Sequence, residues 1–474
     1  MSWDVFLFDG PSTPDPIDGA PKDWKPEPIG SSESARAAIS AEHPAVDWRD
    51  PTWGVLDGEG WSIEFNVGKD EIVDSIALHV RGGGDPLPAI TSLCRANAWV
   101  AFNSSTGEPL ILERPSREGW SGFTAFRDEV VGSASRRCDW RRVGAFLGLT
   151  FAVSWGGNLF FWHAGAYRDI PSALVLLAWQ MWIPAASAIA LQLYAFEDSH
   201  LRRPTLHQAA LWFYRAYLIS AVIMTVIAVL TAVEMAPVPV AHGVSAVLHI
   251  ALLLVLLGAR GRCQPQERAQ AGLSFGRQRY WLWFALGYVA FMGIQLVLLV
   301  STGWGSPQVG GLESRGAGDW TSILFFSLIV SPILAIAGTA FGEEYGWRGF
   351  LQGELLGLGA RRGILLVGLI WAVWHFPIVL FGLHAYPASV IGLLSMTLVC
   401  VLLSFVLGYA RIKSGSVLLA AYLHILGNAL AGIVISAAPR ADIVVSFGIG
   451  LPGLACLALV VAVILRDPLW RREA

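Results

Sequence analysis

ILFFSLIVSPILAIAGTAFGEEYGWRGF, residues Ile323–Phe350, runs a long apolar stretch into two adjacent glutamates and an arginine. Charges in or near a bilayer core are costly, and those that persist there find a partner, face a cavity and mark function. Glu344 and Arg348 stand four apart, so on a helix they share one face and neutralise each other. Glu343 is rotated by about 100° from that pair and has no partner within the segment.

Downstream apolar runs supply the missing groups. His375 lies in GLIWAVWHFPIVL (Gly368–Leu380), and His424 and Asn428 lie in VLLAAYLHILGNALAGIVI (Val417–Ile435) at a spacing that points both the same way. A lone intramembrane histidine is more often a hydrogen-bonded packing residue than a catalyst. Three polar elements on three different apolar segments, at matched depth, are harder to explain as packing.

From about Val143 onward the chain reads as ten apolar stretches of bilayer-spanning length. They fall near 143–163, 171–195, 211–233, 241–259, 280–302, 321–342, 363–382, 387–410, 417–436 and 443–465. Arg136, Arg137, Arg141, Arg142, Arg202, Arg203, Arg260, Arg262, Arg268, Arg277, Arg279, Arg361, Arg362, Arg411, Lys413, Arg466, Arg471 and Arg472 fall on one side, against Arg168, Arg315 and Arg440 on the other. The positive-inside rule then predicts two cytoplasmic termini. In that arrangement the sixth span ends at the cytoplasm with Glu343 and Glu344. His375 and His424 lie about 18 and 10 Å into spans that start there, so the three groups meet in a cavity open to the cytoplasmic leaflet.

Glu343-Glu344-Tyr345-Gly346-Trp347-Arg348, Trp371-xxx-His375 and His424-xxx-Asn428, in this order, resemble the CPBP (CAAX prenyl-endopeptidase and bacteriocin-processing, or Abi) intramembrane protease family over roughly residues 320–440. Trp371 stands where that family usually has phenylalanine. The resemblance implies an all-helical membrane endopeptidase in which Glu343 activates a water, His375 holds the water or the oxyanion, and His424 with Asn428 completes the pocket. Glu344 and Arg348 support it. Two histidines, a carboxylate and a water would also make a zinc site of Glu343, His375 and His424. The HExxH spacing is absent, and the metal-free reading is favoured over zinc. The resemblance implies a peptide or membrane-protein substrate.

Residues 1–115 read as a separate soluble α+β domain, joined through a 116–142 linker to the 143–466 membrane domain. The first 135 residues hold 22 acidic and 10 basic side chains, net −12; the rest holds 14 acidic and 23 basic, net +9. Asp4 and a short apolar run in MSWDVFLFDG argue against a secretory signal. Strands are predicted over Trp61–Val67 and Asp74–Val80 around a Gly68-Lys69-Asp70 turn, helices near Ser34–Ala41 and Ala89–Asn97, and a loop over Pro11–Pro28. The start resembles small uncharacterised bacterial proteins beginning MSWDV, which implies no activity. His43 and His79 stand alone in the sequence. The negative charge excludes nucleic acid as a partner and favours a basic protein.

Five scattered cysteines without a CxxC read as reduced thiols. Arg215 is expected to snorkel, His242 and His249 to bond between helices, and Glu354 to be solvated. Two other functions suit buried ionisable groups on about ten spans: a catalytically silent scaffold or chaperone, and a transporter. The concentration of polar groups in three segments speaks against transport. The intact set speaks against a silent scaffold.

Overall fold

In the computed structural model the chain divides into two compact units, Met1–Glu129 and Val130–Ala474. The structure describes residues 3–10, 26–103, 109–110, 120, 138–167, 169–202, 207–302, 322, 325–382, 387–437 and 450–471. Most of the predicted Pro11–Pro28 loop, most of the linker, and Arg136, Arg137, Arg168, Arg203, Arg315, Arg440 and Arg472 lie outside them.

Among its described residues the amino-terminal unit is an antiparallel sheet with two helices. Its strands are β1 (Trp3–Asp9), β2 (Gly30–Ser31), β3 (Asp47–Asp50), β4 (Trp53–Gly58), β5 (Trp61–Asn66), β6 (Ile72–Val73), β7 (Ile76–Gly82) and β8 (Trp99–Asn103). Six of them form one sheet in the order β3-β4-β5-β7-β1-β8, and β2 pairs with β6. The period of two in β1, β5 and β7 puts Trp3, Val5, Leu7, Ile63, Phe65, Leu78 and Val80 on one face. These residues form a single buried core with Ala35 and Ile39 of α1 (Ser32–Glu42) and Ile90, Leu93 and Cys94 of α2 (Leu87–Asn97). The segment MSWDVFLFDG, read only as the absence of a signal, is the strand between β7 and β8.

Both histidines of this unit have partners. His79 Nδ1 bonds Asp4 Oδ1 at 2.9 Å and its ring stacks on Trp53, while His43 Nε2 bonds the Ala89 carbonyl oxygen. Burial pushes the Cys94 thiol up to about 12, which makes it unreactive at neutral pH.

The second unit is helical. Among the described residues seven helices are long and apolar enough to cross a membrane. They are α3 (Trp140–His163), α4 (Ile170–Ala190, prolonged by a π turn over Leu191–Ala195), α5 (Gln208–Ala232), α6 (Val238–Arg262), α7 (Arg279–Ser301), α9 (Ala360–Leu380) and α10 (Val390–Ser414). Between α7 and α9 lies α8 (Thr339–Glu344), which continues as a π turn over Tyr345–Leu351 and one α turn over Gln352–Leu355. After α10 come α11 (Val417–Ala437) and the shorter α12 (Leu451–Ile464).

Seven of the ten expected spans are such helices among the described residues, and one of the others is interrupted. The predicted 321–342 span is not one helix: its described part holds a π turn over Phe326–Val330, a short helix over Ser331–Ala335, and a break at Gly338. Irregular backbone is tolerated at membrane depth only where protein satisfies its polar groups. At this break His249 Nε2 accepts the Thr339 N–H at 3.2 Å, and the Tyr217 hydroxyl donates to the Gly338 carbonyl oxygen at 3.3 Å. The neighbouring His242 is exposed on α6, as is Arg215 on α5.

After the break, α8 lies directly on α4. A Cβ added at Gly342 would stand 2.1 Å from the Met181 carbonyl oxygen, and one at Gly346 2.4 Å from Pro184 Cβ. Small residues four apart let two helix backbones approach closely in a membrane. Gly342→Ala is accordingly expected to destabilise the bundle by about 1–3 kcal/mol through overpacking, read as a lower unfolding temperature in detergent.

Candidate active site

The hairpin between α8 and α9 sets the depth of the site. Gly359, at φ +92°, makes the turn, and Glu343 and His375 each lie sixteen residues from it. The two residues are thus the same number of residues from the turn on its two arms, and both line one cavity. The helix does not end at Glu343 and Glu344, as the expected 321–342 span would: it starts at Thr339 and runs on through Leu355.

The two carboxylates have different surroundings. Glu344, with 0% of its side chain exposed, accepts from Arg348 Nη1 at 2.8 Å and from His424 Nδ1 at 2.7 Å, both on Oε1. Glu343 is turned away from this pair, and its Oε2 accepts from Trp371 Nε1 at 2.7 Å. Trp371 is thus a hydrogen-bond donor to the carboxylate as well as an aromatic wall, a bond that phenylalanine would not make. Its ring carries the Arg348 guanidinium at 4.3 Å and meets His375 and His424 edge-on.

Both histidine tautomers follow from their partners. His375 Nδ1 bonds the Trp371 carbonyl oxygen at 2.8 Å, and a carbonyl only accepts, so Nδ1 carries the proton and Nε2 the lone pair when the ring is neutral. The carboxylate of Glu344 orients His424 in the same way.

A cavity of about 200 Å³ gathers Glu343, Trp371, His375, His424 and Asn428. Glu344 and Arg348 do not line it. Apolar walls come from Met396, Val399 and Leu403 of α10, and Cys400 places its Sγ 3.8 Å from His375 Nδ1. All five cysteines are unpaired. Among the described residues no three His, Cys, Asp or Glu side chains are placed to hold one metal ion. The Nδ1 atoms of both site histidines are committed to a backbone carbonyl and to Glu344. Those bonds leave Nε2 of each ring as the atom that could ligate, the usual arrangement of a metal-bound histidine, but among the described residues Glu343, His375 and His424 are not gathered around one point as a zinc site requires.

Several supporting residues were not legible as such. Glu354, expected to be solvated, pairs with Arg142 at 3.0 Å with about a tenth of either side chain exposed, which ties the end of the motif helix to α3. Gln180, a polar residue inside an apolar stretch, lines the cavity. That anomaly of polarity was the available signal.

The second unit thus brings a carboxylate, two histidines and an asparagine to one cavity among apolar helices of bilayer-spanning length. Residues 322–430 match the model of the Rce1-like family, described as type II CAAX prenyl endopeptidase Rce1-like. That segment begins before the break, ends past Asn428, and contains the three motifs whole, from Glu343 through Trp371 and His375 to His424 and Asn428. No curated protein and no solved structure matches the chain. With its apolar helices this family places the chain among multi-pass membrane proteins.

Proposed function

We propose that this protein is an intramembrane endopeptidase that cuts peptide bonds with a glutamate-activated water. The Glu343 carboxylate takes a proton from water as the oxygen attacks the peptide carbonyl carbon, then returns it to the departing amine. His375 Nε2 accepts from the same water and aims it. The Asn428 amide donates to the oxyanion, as does His424 in its imidazolium form, whose Nδ1–H is held by Glu344 and whose Nε2–H is then free to donate; donors positioned in advance are most effective there. Apolar walls suit a hydrophobic or lipid-modified segment near the cut.

The observation that carries this reading is the division between the glutamates. Glu344 is consumed by Arg348 and His424, whereas Glu343 lines the cavity with the polar residues of α9 and α11. Comparing the membrane proteome and the released peptides of cells expressing the wild type or Glu343→Ala tests it. A product missing from the variant names the substrate; identical peptide sets from both would overturn the reading.

Two further expectations belong to it. Strong chelation of the purified protein should leave most of the activity, and full loss restored by zinc would reverse the metal-free assignment. We place both termini in the cytoplasm, so a reporter fused after Ala474 should read as internal and one inserted near Gly311 as external. An internal signal at Gly311 would invert the site relative to the membrane. The net charge of −12 in the first 135 residues suits a basic protein partner for the amino-terminal unit.

A further inference from the structure

We propose that Gln180 is a substrate-binding residue whose side-chain amide donates a hydrogen bond to a backbone carbonyl of a peptide held in the cavity that Glu343 lines. The proposal rests on the peptidase reading of that cavity. Gln180 stands on α4, outside the segment that matches the protease family, and is only 2% exposed. It lines the same cavity as Glu343, His375, His424 and Asn428.

Its amide is held from behind. The Tyr167 hydroxyl donates to Asn158 Oδ1 at 2.8 Å, and Asn158 Nδ2 donates to Gln180 Oε1 at 2.8 Å. This relay consumes the acceptor end of the amide and leaves the donor end. Gln180 Nε2, fully buried, meets no acceptor among the described residues.

A buried donor without a partner is costly, and it is more so in a membrane, where the surroundings offer no alternative acceptor. Two N–H groups on an uncharged amide call for a neutral oxygen acceptor, and an extended peptide presents one at every residue. A cation would be repelled by the same dipole. Bonding a carbonyl here removes the penalty and fixes the register of the chain against the water held by Glu343.

The test uses the full chain with Glu343→Gln to block turnover, and a fluorescent farnesylated peptide ending in a C-a-a-X sequence, in detergent micelles. Adding Gln180→Met, which keeps the volume, is expected to weaken binding about tenfold, the effect of one lost hydrogen bond to a neutral acceptor. In protein with Glu343 intact, it should raise KM by about the same factor and hold kcat. Should Gln180→Met fail to fold, Gln180→Glu keeps the acceptor for Asn158 and should weaken binding at least as much.

A second arm separates contact from packing. In a series of probes with one backbone carbonyl at a time replaced by methylene, one probe should bind about tenfold more weakly to protein with Gln180 and lose nothing further in Gln180→Met. Additive losses at every position, undiminished binding by Gln180→Met, or no binding of the parent probe would each overturn the assignment. Dependence on the terminal carboxylate alone, seen with an amidated probe, would also overturn it. If the wild type binds the probe with the expected pattern but leaves it uncut, the peptidase reading fails while Gln180 stands.

Discussion

Glu343→Gln is expected to yield a folded protein that has lost nearly all cleavage, by a factor of about 10²–10⁴, the usual contribution of a positioned general base. The substitution is close to isosteric, and a glutamine oxygen still accepts from Trp371 Nε1, so the observed bond to Glu343 Oε2 has a replacement. Glu343 closes no ion pair with Arg348, whose Nη1 bonds Glu344 instead. Stability should therefore change little while the carboxylate's ability to take a proton disappears. The check is a cleavage rate and an unfolding temperature on the same purified sample. More than about a tenth of wild-type activity with an unchanged unfolding temperature would remove Glu343 from the role of base.

Arg348→Leu is expected to produce the largest loss of stability of any substitution in the motif. Arg348 and Glu344 are both fully buried, and removing one partner of a buried pair leaves an uncompensated charge, at a cost of about 3–5 kcal/mol. His424 alone would then face the Glu344 carboxylate. Arg348→Leu also removes the cation from the face of Trp371. Combining it with Glu344→Gln should restore a large part of the stability, because neutral groups replace both charges and the coupling between the sites cancels. Activity should not return with it, since His424 loses the carboxylate that orients it. Equal unfolding temperatures for the single and double variants would show that the pair is not what holds this helix.

The contrast between these two glutamates was partly visible in the bare sequence. The i, i+4 spacing of Glu344 and Arg348 reads as a pair because helical geometry is local, and local geometry is written in residue spacing. That Glu343 needed a partner from elsewhere also followed. Which partner did not: Trp371 is twenty-eight residues away, and its indole N–H reaches the carboxylate only through the way α8 and α9 fold back at Gly359. The same holds for His249, which serves the backbone of Thr339 ninety residues further on.

Apolar runs, their lengths and the three polar motifs are properties of composition and period, so the helical membrane character, the amino-terminal α+β unit and the set Glu343, Glu344, Arg348, His375, His424 and Asn428 were legible from the chain alone. Hydropathy averages over a window, however, and a Gly-Pro-containing apolar segment scores as a span whether or not it is continuous. The break at Gly338, the continuation of the motif helix beyond it and its seating on α4 through Gly342 and Gly346 depend on which neighbours satisfy the freed backbone groups and how closely two helices approach. Those are contacts between residues far apart in sequence, and only the tertiary structure decides them. By that route it turns one glutamate to a cavity, commits the other to Arg348 and His424, and leaves Gln180 with a donor to spare.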